Sequence, residues 1–107
     1  MNDIVIVSIA CANAEEAAVI GRALVEQRLA ACVQSHAITS TYVWQGAIET
    51  APEIMLTVKT LAEKLPALEA CVTTLHSYDV PEIVAVPVAR TSQDYAGWLR
   101  VSLSGET

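Results

Sequence analysis

The sequence predicts an α+β fold in which two split βαβ units, in the order βαββαβ, share one antiparallel four-stranded sheet and are followed by a C-terminal helix. Three observations point there. Apolar runs of strand length alternate with segments whose apolar residues recur at helical spacing. A Gln45-Gly46 pair lies between the second and third strand-like segments, where a tight reversal makes those strands antiparallel neighbours. At 107 residues the chain has the size of one domain with one core, so residues 1–107 are expected to form a single unit.

The elements follow in order. Ile4-Val5-Ile6-Val7-Ser8-Ile9-Ala10 is apolar and β-branched at nearly every position, as in a central strand covered on both faces. Asn13-Ala14-Glu15-Glu16 then offers a capping residue with an acid three positions on, and Ala17, Ile20 and Leu24 trace the apolar stripe of a helix running to about Arg28. From Ala31-Cys32-Val33 the chain reads as extended, with a bulge expected near Gln34 to Ala37. Clean alternation from Ile38 to Trp44 places Ser40, Tyr42 and Trp44 on one face. After the Gln45-Gly46 turn, Ile54, Leu56 and Val58 face the core, and Pro52 is expected at an edge or bulge because it cannot donate to a ladder. Thr60-Leu61-Ala62-Glu63 has the pattern of a capping box, and Pro66 places the regular helix from about Leu65, with Leu65, Leu68, Val72 and Leu75 as its buried stripe. Ile83 to Val88 reads as the fourth strand. Thr91-Ser92-Gln93-Asp94 opens a last helix carrying Tyr95, Trp98 and Leu99 on one side. Both long helices on one face of this sheet is the ferredoxin-like arrangement.

Composition narrows the function. Hydrophobic residues are 53% and charged residues 17% of the chain, too apolar for disorder. No apolar run reaches the ~18 residues of a membrane span. The start, Met1-Asn2-Asp3-Ile4, carries no secretion signature, so the cytoplasm is expected. The net charge is −6, and the six cations are scattered, so the basic stripe of a nucleic-acid surface is missing. Cys11, Cys32 and Cys71 match neither a disulfide framework nor a C-x-x-C metal motif and read as free thiols. A mean hydropathy of +0.43 is high for a domain this small, which buries only about 60–68% of its unfolded surface. The surplus apolar area predicts an oligomer.

Glycines at 21, 46, 97 and 105 form no phosphate-binding loop and no dinucleotide fingerprint, so no organic cofactor is expected. No Ser sits in a G-x-S-x-G elbow, and with two histidines the supply of neutral-pH acid–base groups is thin, so an enzyme is the weakest class. The most polar stretch, Leu75-His76-Ser77-Tyr78-Asp79-Val80-Pro81-Glu82, gathers an imidazole, a phenol and two carboxylates between the second helix and the fourth strand. It has the composition to bind a cation. Equally, His76 reads as a residue ending a helix, where the dipole favours an imidazolium, with Tyr78 packed beside it. Lys59 reads either as a solvated edge charge or as the cation lining a cleft, and Tyr42 and Trp44 as interface anchors or a stacking surface.

Taken together, Leu29-Ala30-Ala31-Cys32, Ser40 to Ile48 read as S-x-Y-x-W-x-G-x-I, Lys59-Thr60, His76-x-Tyr78-x-x-Pro81-Glu82, Pro87 and Tyr95-x-x-Trp98-Leu99 resemble the CutA divalent-cation-tolerance family. The resemblance spans nearly the whole chain. It implies a cytoplasmic homotrimer of ferredoxin-like subunits, similar in architecture to PII-type signalling proteins, with the long hairpin and neighbouring edges joining sheets across subunits. It also implies a non-enzymatic role in tolerance of copper or another divalent cation, with a ligand cleft near Trp44, Lys59, His76, Tyr78 and Glu82.

For metal the resemblance leaves one matching ligand, His76. Ile9 stands where copper-binding members carry a Cys, and Leu75-His76 stands where they carry a His pair. Cys11, on the same strand face about 6.6 Å beyond Ile9, is the available substitute thiol. Ser77 replaces the usual Pro of that loop. The alternative function is a PII-like small-molecule sensor or signalling scaffold with ligand clefts between subunits.

Overall fold

Alternation along the first strand decides where everything else packs. The structure, a computed structural model, describes residues 3–105; the reading of Met1 and Asn2 lies outside them. Strand β1 (Ile4–Cys11) sends Val5, Val7, Ile9 and Cys11 to one face, where they meet the two long helices, α1 (Ala14–Glu26) and α2 (Leu65–Leu75). Ile20 and Leu24 of α1, Leu68 and Val72 of α2, and Leu56 and Val58 of the third strand complete that core. Each such fully buried aliphatic side chain contributes about 1.5–3 kcal/mol.

The sheet order is β2-β3-β1-β4, with β2 (Cys32–Trp44), β3 (Ala47–Leu61) and β4 (Ile83–Pro87), and every pairing is antiparallel. β1 is central, as expected. β2 and β3 pair without interruption from Cys32↔Lys59 to Trp44↔Ala47, so the bulge expected near Gln34 is not there. β1 pairs with β3 only as far as Cys11↔Ile54. From Ile38↔Glu53 outward the hairpin is therefore a two-stranded ribbon projecting past the sheet, and it accounts for the long 46 Å axis of a chain only 26 × 22 Å across. Pro52, opposite Thr39, sits on this ribbon, where β3 has a partner on one side alone and a missing N–H costs no ladder bond. Gln45 (φ 50°) and Gly46 (φ 80°) close the reversal, both in the left-handed region that a type I′ turn needs.

Helix ends depart from expectation where tertiary contacts outbid local signals. Asn13 caps α1 as expected, its Oδ1 accepting from the Glu16 N–H at 2.8 Å. The helix ends at Glu26, short of Arg28, which takes φ 57° while the Leu29 and Ala30 N–H groups return to the Leu24 carbonyl. The Thr60–Glu63 capping box does not form: Thr60 is buried and donates to the Leu29 carbonyl at 2.7 Å, tying β3 to the end of α1. A single 3-10 turn, Ala62–Lys64, leads into α2, which begins at Leu65 as expected. Leu75, assigned to its buried stripe, is instead exposed.

On the sheet face opposite α1 and α2, the third helix, α3 (Gln93–Ser104), packs Leu99 and Leu103 against Ile4 and Leu61 as a second, smaller core. Trp98, expected beside Leu99, lies outward against Tyr95. None of the helices described is long and apolar enough to cross a membrane.

Candidate functional site

The end of α2 builds the most connected polar cluster. His76 is its C-cap, with ψ 143° and an N–H bonded to the Val72 carbonyl at 2.8 Å, and this extended turn folds the imidazole back against the end of β1. The ring is wholly buried. Nε2–H donates to the Ala10 carbonyl at 2.7 Å, while Nδ1 accepts from the Tyr78 N–H at 3.1 Å. Because a carbonyl only accepts and an amide only donates, these two bonds select the neutral Nε2–H tautomer.

Glu16 joins this cluster from the first turn of α1. Its carboxylate accepts from the Ala12 N–H at 2.7 Å and the Ser77 N–H at 2.6 Å, stitching the β1–α1 turn to the loop after α2. Burial works to raise this carboxyl, but the hydrogen bonds from Ala12 and Ser77 outweigh it and hold it below the usual carboxylate range. Cys11 lies alongside, its thiol pushed up to about 11 by burial first and then by the charges of Glu16 and Glu53. One ligand atom from each of Cys11, Glu16 and His76 falls within 4.8 Å of the others.

By donor type this trio suits a soft or borderline cation. As arranged, it does not fit one. A ligating imidazole must aim a free lone pair at the ion, but Nδ1 spends its own on Tyr78 and Nε2 carries the proton. The carboxylate is held by two amides. The cluster is a closed hydrogen-bonded knot that fixes the loop above it.

That loop forms one wall of a cleft of about 430 Å³, whose other wall is the projecting hairpin. Tyr78 and Glu82 face Trp44 and Tyr42 across it, with Glu53 at its base. The Tyr78 hydroxyl donates to Glu53 Oε2 at 2.8 Å, and its ring sits 4.7 Å from that of His76. Burial, then this bond, push the Tyr78 phenol up to about 12.

Of the five residues expected to share one cleft, the structure brings Trp44, Tyr78 and Glu82 together, sets His76 directly behind them, and places Lys59 elsewhere. Lys59 lies on β3 six residues from Glu53, about 20 Å at strand rise. There its Nζ stands 5.7 Å from the Tyr95 ring centroid, in a second cleft of about 400 Å³ with Arg90, Ser92, Ile6 and Val88. The sequence reading missed Glu16, taken only as a capping residue, and Glu53. The in-phase position of Glu53 with Met55 on a sheet face was the available signal for the latter. Their partners, His76, Ser77 and Tyr78, come from a distant part of the chain and left none.

Comparison with known proteins agrees with this architecture. The family model described as CutA1 divalent ion tolerance protein matches residues 5–102. The divalent-cation tolerance protein CutA of Thermus thermophilus is 44% identical over 101 residues, 94% of this chain and 96% of its own length. Protein CutA of Homo sapiens is 42% identical over 93 residues, 86% of this chain but 52% of its own, so the chain spans about half of that relative. A solved structure of the periplasmic divalent cation tolerance protein CutA from Archaeoglobus fulgidus superposes with a TM-score of 0.92 at 35% identity, covering 94% of this chain and 98% of that one.

Proposed function

Because the chain belongs to the CutA1 divalent ion tolerance family, we propose that it acts as a homotrimer in divalent-cation tolerance, binding a ligand and not catalysing a reaction. The observation that carries the proposal is the projecting hairpin. Val43, Trp44 and Ile48 are 70%, 61% and 77% exposed on a two-stranded ribbon, and such a ribbon is at best marginally stable unless something packs on it. Val84 and Val86 are likewise exposed on the edge strand β4. Joining these edges between subunits covers both the apolar side chains and the unpaired backbone.

The cluster around Cys11 and His76 supports the non-catalytic reading. The buried thiol of Cys11 is held in its protonated form and both nitrogens of His76 are committed to backbone partners, leaving neither as an activated nucleophile nor as a free base. The ligand cleft is the one between Trp44, Tyr78 and Glu82, with His76 as its support, and the Lys59 cleft is separate. We place the protein in the cytoplasm because Cys11, Cys32 and Cys71 are all free thiols, as a reducing compartment keeps them.

Copper or another divalent cation held through His76 is the second reading, favoured by the convergence of Cys11, Glu16 and His76. Native mass spectrometry is expected to show three chains; a monomer would remove the assembly. In copper calorimetry, wild type and His76→Ala are expected to take up the same number of ions. Loss of one site per chain in the variant would restore His76 as a ligand.

A further inference from the structure

The cleft around Lys59 reverses the charge of the chain that surrounds it. Twelve acidic residues stand against six basic ones in the sequence, yet this lining holds two bases, Lys59 and Arg90, and no acid. We propose that it binds a small organic anion, a carboxylate on an apolar body, with the head at Lys59 and Arg90 and the body on Ile4, Ile6 and Val88.

Neither base is neutralised by the fold. Arg22 pairs with Glu26 and Arg100 with Asp3, but among the described residues no carboxylate stands at ion-pair distance from Lys59 or Arg90. What holds Lys59 is the ring of Tyr95, 5.7 Å from its Nζ, a contact that steadies the ammonium without supplying a counter-charge. Lys59 is half-buried on β3, whereas Arg90 is exposed on the segment before α3.

The fold supplies the rest of the lining. Lys59 and Ile6 are cross-strand partners and share a sheet face, and the Val88 N–H bonds to the Ile4 carbonyl at 3.0 Å as the chain leaves β4 for the α3 cap. At that cap Ser92 Oγ accepts from the Tyr95 N–H at 3.2 Å, so its hydroxyl hydrogen is left to donate to a ligand oxygen. Asp94, the acid in the first turn of α3, is not part of the lining. A guanidinium offers a carboxylate paired N–H donors and an ammonium adds a point charge. The aliphatic floor then favours an organic acid over a bare inorganic ion, because only the former covers it. None of these residues belongs to the hairpin tip or to the β4 valines through which copies are proposed to join.

The test uses the full chain with methyl-labelled isoleucine and valine, titrated with sodium benzoate and followed by NMR at Ile6 and Val88. A saturable shift is expected, with none from sodium chloride at matched ionic strength or from benzamide, the neutral molecule of the same shape, and much weaker binding of inorganic phosphate. Lys59→Gln is expected to weaken benzoate binding about tenfold, and Arg90→Gln, at an exposed position outside the helices and strands, about fivefold. Equal binding of benzamide, phosphate bound as tightly as benzoate, or unchanged affinity in a folded Arg90→Gln protein would overturn the proposal. So would the absence of any shift, as when a second copy covers the cleft. The trimer and the Trp44 cleft are read by other measurements, so failure here would leave both standing.

Discussion

Glu16 shows how one side chain comes to serve two ends of the chain. Its carboxylate holds amides at Ala12 and Ser77 while standing 3.7 Å from His76 Nδ1. Burial opposes its ionisation, yet those two amides hold the folded carboxyl below its ordinary 4.5. A carboxyl that is more acidic in the folded than in the unfolded chain stabilises the fold above its unfolded value, and that contribution disappears as pH falls through the folded one. Cys11 has the opposite sign. Raised by burial from 9.0 to about 11, its thiol favours the fold below 9.0, and this contribution fades as pH rises across that interval. Denaturant unfolding is therefore expected to show stability declining below about pH 4.5 and again above about pH 9, with Glu16→Gln flattening the acid limb and Cys11→Ala part of the alkaline one. Limbs that keep their slopes in these variants would mean that other groups carry the dependence.

Among the elements, the β2–β3 hairpin was the most legible. Its alternation from Ile38 to Trp44 and its Gln45-Gly46 turn follow from residues near one another in sequence, while the uninterrupted pairing through Gln34 to Ala37, where a bulge was expected, does not. The turn carries its own prediction. A Cβ added at Gly46 meets nothing within 4 Å, so Gly46→Ala tests backbone conformation alone and is expected to cost about 1 kcal/mol in equilibrium unfolding. An unchanged stability would show that the turn relaxes out of the left-handed region. The Thr60–Glu63 segment illustrates where local reading stops. Its capping pattern is genuine, but the Leu29 carbonyl, 31 residues away, captures the Thr60 hydroxyl in a buried site, where an unmet carbonyl would cost about 1–3 kcal/mol. That requirement outweighs a capping bond worth about 1 kcal/mol.

At the scale of the whole molecule, the proposed trimer rests on the projecting ribbon and its exposed apolar side chains. Val43 and Ile48 touch little within their own chain, so Val43→Ser with Ile48→Ser is expected to leave subunit secondary structure intact while reducing the sedimenting mass from three chains to one. A trimer that survives both changes would exclude the hairpin tip from the interface.

Periodicity, turn chemistry and the balance of apolar to charged residues were sufficient for element order, strand antiparallelism, the central place of β1 and the surplus of apolar surface, because each depends on neighbours a few positions apart. Only the folded chain could decide that Lys59 stands about 20 Å from the Trp44–Tyr78–Glu82 cleft. The same is true of the buried carboxylate of Glu53 at its base and of His76, whose two nitrogens meet Ala10 and Tyr78. These are matters of register and loop closure. A strand one residue out of phase would turn Trp44, Glu53 or Lys59 to the opposite face, and no composition records which phase is taken.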